Sequence, residues 1–347
     1  MAFPEEIAEQ GKALRDLTAF YRAEGCELLS LVTQFVPQRL RSIVLTGMGS
    51  SAFVHEVANV YLGDRSPYPV VVWDAGELFY YGIETIRDHD LIIAVSQSGE
   101  SVETRKIVQA LRDHKYVISV TNNAESTMAR LSSLNLPMCA GSEESISNKT
   151  YTNSIALMLL ISRAITVEDC EPLLNSFEEI SAEMDEFVAS RRSEIAAAGK
   201  MLFNANCLHV ISRGPSMTAA KQTALTFQEG THVLCSALTG GAMRHGPFEI
   251  VGPGHHAMVF APAEPGGDLL VNMALEMAEL GSKVVLFTGI DSPNHPNMTA
   301  IRLPSVSSDL FPLVCAVPQE LLLERMALDR GLTPGLFIRG SKITVKE

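Results

Sequence analysis

Short apolar runs alternate with amphipathic stretches through the first half of the chain. The amphipathic stretches, such as residues 52–62 and 102–114, carry apolar side chains at helical spacing. Short and continuously apolar runs between such helices predict the strands of a parallel sheet that is covered on both faces. The predicted strands are residues 42–47, 69–75, 90–95, 115–121 and 136–140.

The same pattern then starts again. Gly49 and Ser51 correspond to Gly214 and Ser216, 165 residues later, and the apolar run 258–261 lies at that offset from 93–96. The run 284–289 follows after a shift of two residues. Two sheets of similar topology are therefore expected, which gives a duplicated α/β architecture.

The expected organisation places the two α/β domains between helical segments. We predict a helical leader, a first domain, a helical connector, a second domain and a tail. Their ranges are 1–35, 36–165, 166–200, 201–330 and 331–347.

Composition narrows the classes of partner. The 347 residues carry a formal net charge of −13, which repels nucleic acid and acidic membranes. No apolar run approaches the length of a membrane span, and the N-terminus lacks the pattern of a signal peptide, so we expect a cytoplasmic protein. The six cysteines show no CxxC pair or disulfide spacing, so we expect neither a zinc cluster nor a disulfide scaffold. We also expect no metal site and no cofactor.

Hydroxyl and amide side chains cluster where two of the predicted strands end. Because helix N-termini present unpaired N–H groups and the positive end of the helix dipole, such turns form anion sites at the carboxyl edge of a parallel sheet. Capping of the following helices is the alternative for any single turn, and it is favoured there, but several converging turns favour a phosphate site. No P-loop motif is present. The turns carry Ser96, Gln97, Ser98 and Ser101 after one strand, Ser50 and Ser51 after another, and Ser147 before a later helix.

These motifs resemble the sugar isomerase (SIS) domain family, and in particular the isomerase half of glucosamine-6-phosphate synthase. Related catabolic members are amino-sugar-phosphate deaminases and fructosamine-phosphate deglycases. The resemblance runs from about residue 25 to Glu347. It is carried by GMGSS at 47–51, SQSGES at 96–101, GSEESISNKT at 141–150, QEGTHV at 228–233, GGAMRHGPFEIV at 240–251 and SKITVKE at 341–347.

The resemblance implies two flavodoxin-like three-layer α/β/α sandwiches. It implies that the serines and Gln97 named above hold the phosphate of a hexose 6-phosphate, with Ser147 near the sugar hydroxyls. It further implies that Glu229 is the base that moves a proton between C1 and C2, that His245 helps to open the sugar ring, and that Lys342 can condense with the open-chain carbonyl. In relatives the histidine comes from a neighbouring subunit, which implies a homodimer with shared sites.

The residues themselves give a partly independent interpretation of Glu229. A helix predicted over 216–228, with Gly230 just beyond its end, places this carboxylate at the negative end of the helix dipole. That position raises the pKa of a carboxyl group and suits it to proton abstraction near neutral pH. A solvent-exposed glutamate is the alternative interpretation.

His245 and Lys342 each have a simpler interpretation when taken alone. A lone histidine in a glycine-rich loop is more often solvated than catalytic, and Lys342 lies in a tail that is expected to fray. Apolar Ile343 and Val345 indicate instead that the tail packs, and a lysine screened from water becomes a better nucleophile. Adjacent His255 and His256 have no ligand partner at metal spacing, so no function is assigned to them.

The resemblance is incomplete at the helix that carries Glu229. Thr226 stands where the synthase has a lysine and Gln222 where it has a glutamate, so the basic partner of Glu229 is either missing or supplied by Lys221. Reaction details of the synthase therefore do not transfer as a whole.

Three reactions remain for an enzyme of this kind. The sequence begins with the helical leader and shows no glutaminase segment, so we expect that glutamine is not its source of ammonia. We expect isomerisation, deamination or deglycation at C1 and C2 of a 6-phosphorylated hexose derivative, through an enediol or enolamine. The alternative is a sensor protein that binds a sugar phosphate without turnover.

Overall fold

The computed structural model describes residues 2–36 and 40–344. The chain forms two compact units, each containing one parallel sheet. The sheet-A unit comprises Gly11–Glu143, Lys149–Ser181 and Arg339–Glu347. The sheet-B unit comprises Met1–Gln10, Glu144–Asn148 and Ala182–Ile338.

Sheet A has its strands in the order β2-β1-β3-β4-β5, all parallel, which is the order of flavodoxin-like folds. Gly47 pairs with Val95, so the two central strands end side by side. The strands are β1 (Ser42–Gly47), β2 (Val70–Asp74), β3 (Asp90–Val95), β4 (Val117–Thr121) and β5 (Leu134–Pro137).

Sheet B repeats that order, with β7-β6-β8-β9-β10 in place of β2-β1-β3-β4-β5. The predicted duplication is therefore confirmed. The sequence pattern did not reveal β7 or β10, which form the two edges of the sheet. The strands are β6 (Cys207–Ser212), β7 (Leu234–Thr239), β8 (His256–Ala261), β9 (Lys283–Thr288) and β10 (Met298–Arg302).

Helices lead, separate and follow the strands. None of the helices in the described part of the chain has both the length and the apolar character that crossing a membrane requires. In chain order they are α1 (Ala2–Ala8), α2 (Gln10–Arg22), α3 (Cys26–Phe35), α4 (Ser50–Phe53), α5 (His55–Arg65), α6 (Ala75–Glu77), α7 (Val102–Ala110), α8 (Thr127–Leu131), α9 (Lys149–Thr166), α10 (Glu171–Ser190), α11 (Arg192–Leu202), α12 (Met217–Thr231), α13 (Gly240–Arg244), α14 (Gly267–Glu279) and α15 (Phe311–Asp329).

The sheet-A unit has helices on both faces of its sheet. Every residue of β1 and β3 is buried, as the continuous apolar runs predict. The long helix α9 is almost wholly buried and packs against α3 and α5. A separate apolar cluster joins the strands to α7 and α8, through Ile92, Ile107 and Met128 among others.

The sheet-B unit is built in the same way. Helices α11, α12 and α15 pack together, and α14 lies on β8 and β9 in an apolar cluster that includes Val259 and Leu286. Helix α15 is buried along most of its length. Its Glu320 carboxylate accepts a hydrogen bond of 2.6 Å from Nε2 of Gln10, which belongs to the same unit.

Candidate active site

Two turns of the sheet-A unit begin next to each other because β1 and β3 end in register. In the first turn Gly49 has φ of 52°, a left-handed conformation that glycine adopts without steric cost. The next residues, Ser50 and Ser51, begin α4 and are partly exposed. Met48 follows Gly47 and Ser96 follows Val95, which are paired in the sheet, so the two polar turns that Met48 and Ser96 begin are neighbours.

The turn after β3 keeps its hydroxyl groups inside the unit. Ser96 and Ser98 are 2% and 7% exposed. The Ser96 hydroxyl donates to Oγ of Ser101 at 3.3 Å, and Oγ of Ser98 accepts from the Glu100 N–H at 3.1 Å. Ser101 precedes α7, but its side chain makes no capping bond to that helix.

Gly99 and Glu100 fix the shape of this turn. Gly99 has φ of 64°, and a Cβ at this position would lie 2.1 Å from Oγ of Ser126, so only glycine fits. The Glu100 carboxylate accepts the Thr127 N–H at 2.6 Å. Burial raises the pKa of Glu100, but hydrogen bonds from Thr127 and Arg105 outweigh burial and leave that pKa below its ordinary value.

The C-terminal tail lies against the same turn. The Thr344 carbonyl accepts the N–H of Val102, the first residue of α7, at 3.2 Å. Nζ of Lys342 lies 2.6 Å from Oε1 of Glu143, whose side chain is fully buried. Val345, which we expected to help the tail to pack, lies outside the described residues.

Glu143 joins the tail to the start of α9. Its carboxylate accepts hydrogen bonds of 2.8 Å from both the N–H and the hydroxyl of Thr150. A carboxylate at a helix N-terminus is stabilised by the helix dipole. The ion pair with Glu143 thus fixes the position of the Lys342 side chain at the start of α9.

In the sheet-B unit, Glu229 lies in the last turn of α12 and is partly exposed. The predicted end of this helix is wrong: α12 continues to Thr231, and His232, with φ of 56°, takes the left-handed position after it. Gly230 serves packing instead, because a Cβ there would lie 2.7 Å from Cδ2 of Leu323. Glu229 nevertheless keeps the expected place near the negative end of the helix dipole.

The segment that carries Ser147 lies beside α12 within the same unit. Nε2 of Gln222 donates to the Ser147 carbonyl at 3.2 Å, and Ile146 lies close to Gly230, the neighbour of Glu229. Oε1 of Gln222 is buried and has no hydrogen-bond partner among the described residues, which leaves an acceptor available two helical turns before Glu229. Thr226 donates its hydroxyl to the Gln222 carbonyl, so it supplies no charge to the site.

A buried carboxylate from the N-terminal helix fixes this segment. Glu6 is 6% exposed and accepts the Glu144 N–H at 2.5 Å and Nδ2 of Asn148 at 2.9 Å. It also accepts hydrogen bonds from the N–H and the hydroxyl of Ser145. Sequence reasoning missed both Glu6 and Glu143, because a glutamate in an amphipathic helix or a polar loop gives no local sign of burial.

His245 follows α13 and is exposed. Its N–H donates to the Ala242 carbonyl at 3.1 Å, and the preceding Arg244 forms an ion pair with Glu276. An exposed imidazole in a short loop is accessible to a second molecule. Its role in ring opening stays a prediction.

The candidate residues thus form two groups, one in each unit. The sheet-A unit holds Ser50, Ser51, Ser96, Gln97, Ser98, Ser101 and Lys342. The sheet-B unit holds Ser147, Glu229 and His245. Within each unit the structure joins residues that are far apart in sequence, namely Lys342 to the start of α9 and Ser147 to α12.

Comparison with known proteins identifies a family model and similar sequences. The SIS domain family model matches residues 38–167. The chain is 27% identical over 343 residues to a glutamine–fructose-6-phosphate aminotransferase (isomerizing) of Bradyrhizobium diazoefficiens, covering 94% of this chain and 56% of that protein. The corresponding protein of Pyrococcus horikoshii is 25% identical, with 95% and 55% covered. The chain therefore spans about half the length of these curated relatives.

Solved structures show the same fold. The C-terminal domain of glucosamine-fructose-6-phosphate aminotransferase from Francisella tularensis superposes with a TM-score of 0.86 at 20% identity, covering 96% of this chain and 98% of that domain. Glucosamine-6-phosphate deaminase from Thermotoga maritima gives a TM-score of 0.76 at 17% identity, with 99% of each chain covered. Tagatose-6-phosphate ketose/aldose isomerase from Escherichia coli gives 0.80 at 19% identity, with 96% and 94% covered.

The two sheets of equal strand order, the SIS match and these relatives lead to one assignment. Residues 38–167 match the SIS domain family model, and the chain as a whole is a tandem α/β protein similar to the C-terminal domain of glucosamine-fructose-6-phosphate aminotransferase.

Proposed function

We propose that this protein is a cytoplasmic, homodimeric enzyme that acts at C1 and C2 of a 6-phosphorylated hexose derivative. The reaction is an aldose–ketose isomerisation, or a deamination or deglycation that uses the same proton transfer. The main support is the turn after β3, where buried hydroxyl groups that do not cap α7 gather at the carboxyl edge of a parallel sheet. Relatives of the chain include proteins named as isomerases and a deaminase of sugar phosphates.

In this proposal, uncharged donors of the sheet-A unit hold the phosphate as a handle. Glu229 moves a proton between the adjacent carbons, and the exposed His245 assists ring opening in the active site of a second subunit. Lys342 condenses with the open-chain carbonyl, and water leaves as the imine forms. Ser147 and the buried acceptor of Gln222 orient hydroxyl or amino groups of the sugar.

The first test is turnover of glucosamine 6-phosphate, fructose 6-phosphate and 6-phosphorylated fructosamines by the wild type and by Glu229→Gln. Because the amide cannot accept the proton, kcat should fall about 100-fold or more in Glu229→Gln. The matched control is Glu279→Gln, since Glu279 is also in the last turn of a helix of the sheet-B unit and is exposed. That control should retain wild-type kcat.

The outcomes separate the enzyme from a sensor. Undiminished turnover by Glu229→Gln would eliminate Glu229 as the base. Tight binding of a sugar phosphate with no turnover by the wild type would favour the sensor.

A further inference from the structure

Arg213 occupies, in the sheet-B unit, the position that the phosphate turns occupy in the sheet-A unit. It follows β6 directly, as Met48 follows β1 in the equivalent place of the duplicated fold. The loops after β7 and β8 surround it and correspond to those after β2 and β3. The loop after β8 has lost the hydroxyl groups of its counterpart.

The guanidinium group lies over glycines of these two loops. A Cβ on Gly240 would lie 2.9 Å from Nε and 3.2 Å from Nη2 of Arg213, and one on Gly241 would lie 4.0 Å from Nη1. On the other side, a Cβ on Gly266 would lie 3.6 Å from Cδ of Arg213. Any larger residue at Gly240 would displace the guanidinium.

Arg213 has no protein partner among the residues that the structure describes. Its Nε is buried and makes no hydrogen bond. Glu264 and Asp268, in the adjoining loop and helix, are exposed and form no ion pair with it. By contrast, the nearby Arg244 is paired with Glu276. A guanidinium nitrogen that is removed from water without a partner costs free energy, which an external acceptor would offset.

We propose that Arg213 is the centre of a second anion-binding site, at the carboxyl edge of sheet B, for a phosphate monoester or a carboxylate. The fork of N–H donors in a guanidinium matches two oxygens of such a group. This site would bind the anion with the positive charge of Arg213, whereas the equivalent site of the sheet-A unit would bind it with neutral hydroxyl groups. It goes beyond the proposed function, because it requires neither turnover nor Glu229.

The test measures how fast phenylglyoxal, which modifies arginine, reacts with Arg213 in the wild-type protein, using peptide mass spectrometry. Inorganic phosphate and succinate are added in separate arms. At least one of them should slow the modification of Arg213 several-fold, because a bound oxyanion shields the guanidinium. Arg244 is the internal control, since its ion pair with Glu276 leaves no vacancy for the anion. Its modification rate should not change.

The arms with phosphate and succinate also identify the class of ligand. A variant of the sheet-A unit tests whether the Arg213 site is independent of that unit. Protection by phosphate alone indicates a phosphate monoester, and protection by succinate alone indicates a carboxylate. Protection should persist in Ser98→Ala, which alters only the site in the sheet-A unit. Equal modification of Arg213 with and without both anions, or protection that disappears in Ser98→Ala, would overturn the proposal.

Discussion

At the scale of single residues, Ser98 offers a direct test of the phosphate turn. The residue is 7% exposed, its hydroxyl accepts the Glu100 N–H at 3.1 Å, and it lies in the turn that we propose to hold the phosphate. Ser98→Ala should weaken binding of a hexose 6-phosphate about tenfold, because a hydrogen bond to a charged group contributes about 1.5–3 kcal/mol. Isothermal titration calorimetry would measure the change.

The matched control for that prediction is Ser176→Ala. The Ser176 hydroxyl is exposed and bonds to the Pro172 carbonyl within α10, so its loss should leave the affinity unchanged. Equal affinity of Ser98→Ala and the wild type would remove Ser98 from the phosphate site.

The sequence revealed the polar turns because their residues are contiguous and follow recognisable strands. It did not reveal Glu6 or Glu143, whose burial depends on partners elsewhere in the fold. Glu143 bonds to Lys342, 199 residues later, and Glu6 bonds to Asn148, 142 residues later. No local sequence pattern indicates a contact between residues so far apart in the chain.

At the scale of elements, α1 acts as a clamp on the segment 144–148. Glu6→Ala would remove the acceptor of the Glu144 and Ser145 N–H groups and leave the side chains of Ser145 and Asn148 with only their longer bonds of 3.2–3.3 Å. The free energy of unfolding should fall by about 3 kcal/mol, because each buried unsatisfied group costs about 1–3 kcal/mol and the segment relaxes in part. Urea denaturation followed by circular dichroism would measure the loss.

Glu5→Ala is the control for the clamp, since Glu5 is an exposed residue of the same helix. Its effect on unfolding should be within about 0.5 kcal/mol of zero, as for most surface substitutions. If Glu5→Ala and Glu6→Ala were equally stable, the clamp would not contribute to stability.

In sheet B the central strands were predictable from the sequence and the two edge strands were missed. In sheet A the edge strand β2 was predicted, and β5 was predicted at 136–140 although it lies at Leu134–Pro137. The bounds of β1 and β3 were predicted correctly because both faces are buried and their apolar runs are continuous. In contrast, β7 and β10 have exposed positions among buried ones, so their patterns are mixed. The end of α12 was missed for a different reason, since Gly230 was taken as a helix terminator although it makes room for Leu323.

At the scale of the whole molecule, buried histidines in the sheet-B unit make stability depend on pH. Nε2 of His255 lies 2.9 Å from Nδ1 of His209, and its Nδ1 lies 2.9 Å from Oγ of Ser282. Burial, followed by repulsion from His209 and His256, lowers the pKa of His255 from 6.5 to about 4. His209 and His256 also have lowered pKa values through burial, and Lys283 adds to the effect at His256.

A lowered pKa means that the unfolded chain binds the proton at a pH where the folded chain does not. The contribution of His255 to stability is therefore fully present above pH 6.5 and is lost as the pH falls toward about 4. In His255→Asn, the free energy of unfolding should depend less steeply on pH across this window, as measured by urea denaturation at several pH values. His89→Asn, at an exposed position, should keep the wild-type slope. An unchanged slope in His255→Asn would contradict this explanation.

Each unit includes a short segment from the far end of the chain, and this affects the order in which the two units can be completed during synthesis. Residues 1–10 belong to the sheet-B unit, and the sheet-A unit gains Lys342 only after all of the sheet-B strands have been translated. The ribosome therefore synthesises α1 long before residues 144–148, which Glu6 contacts. Glu143 is likewise synthesised long before Lys342, with which it forms an ion pair. Co-translational folding of the sheet-A unit should therefore leave Glu143 without its ion pair until Lys342 has been synthesised and the tail has docked.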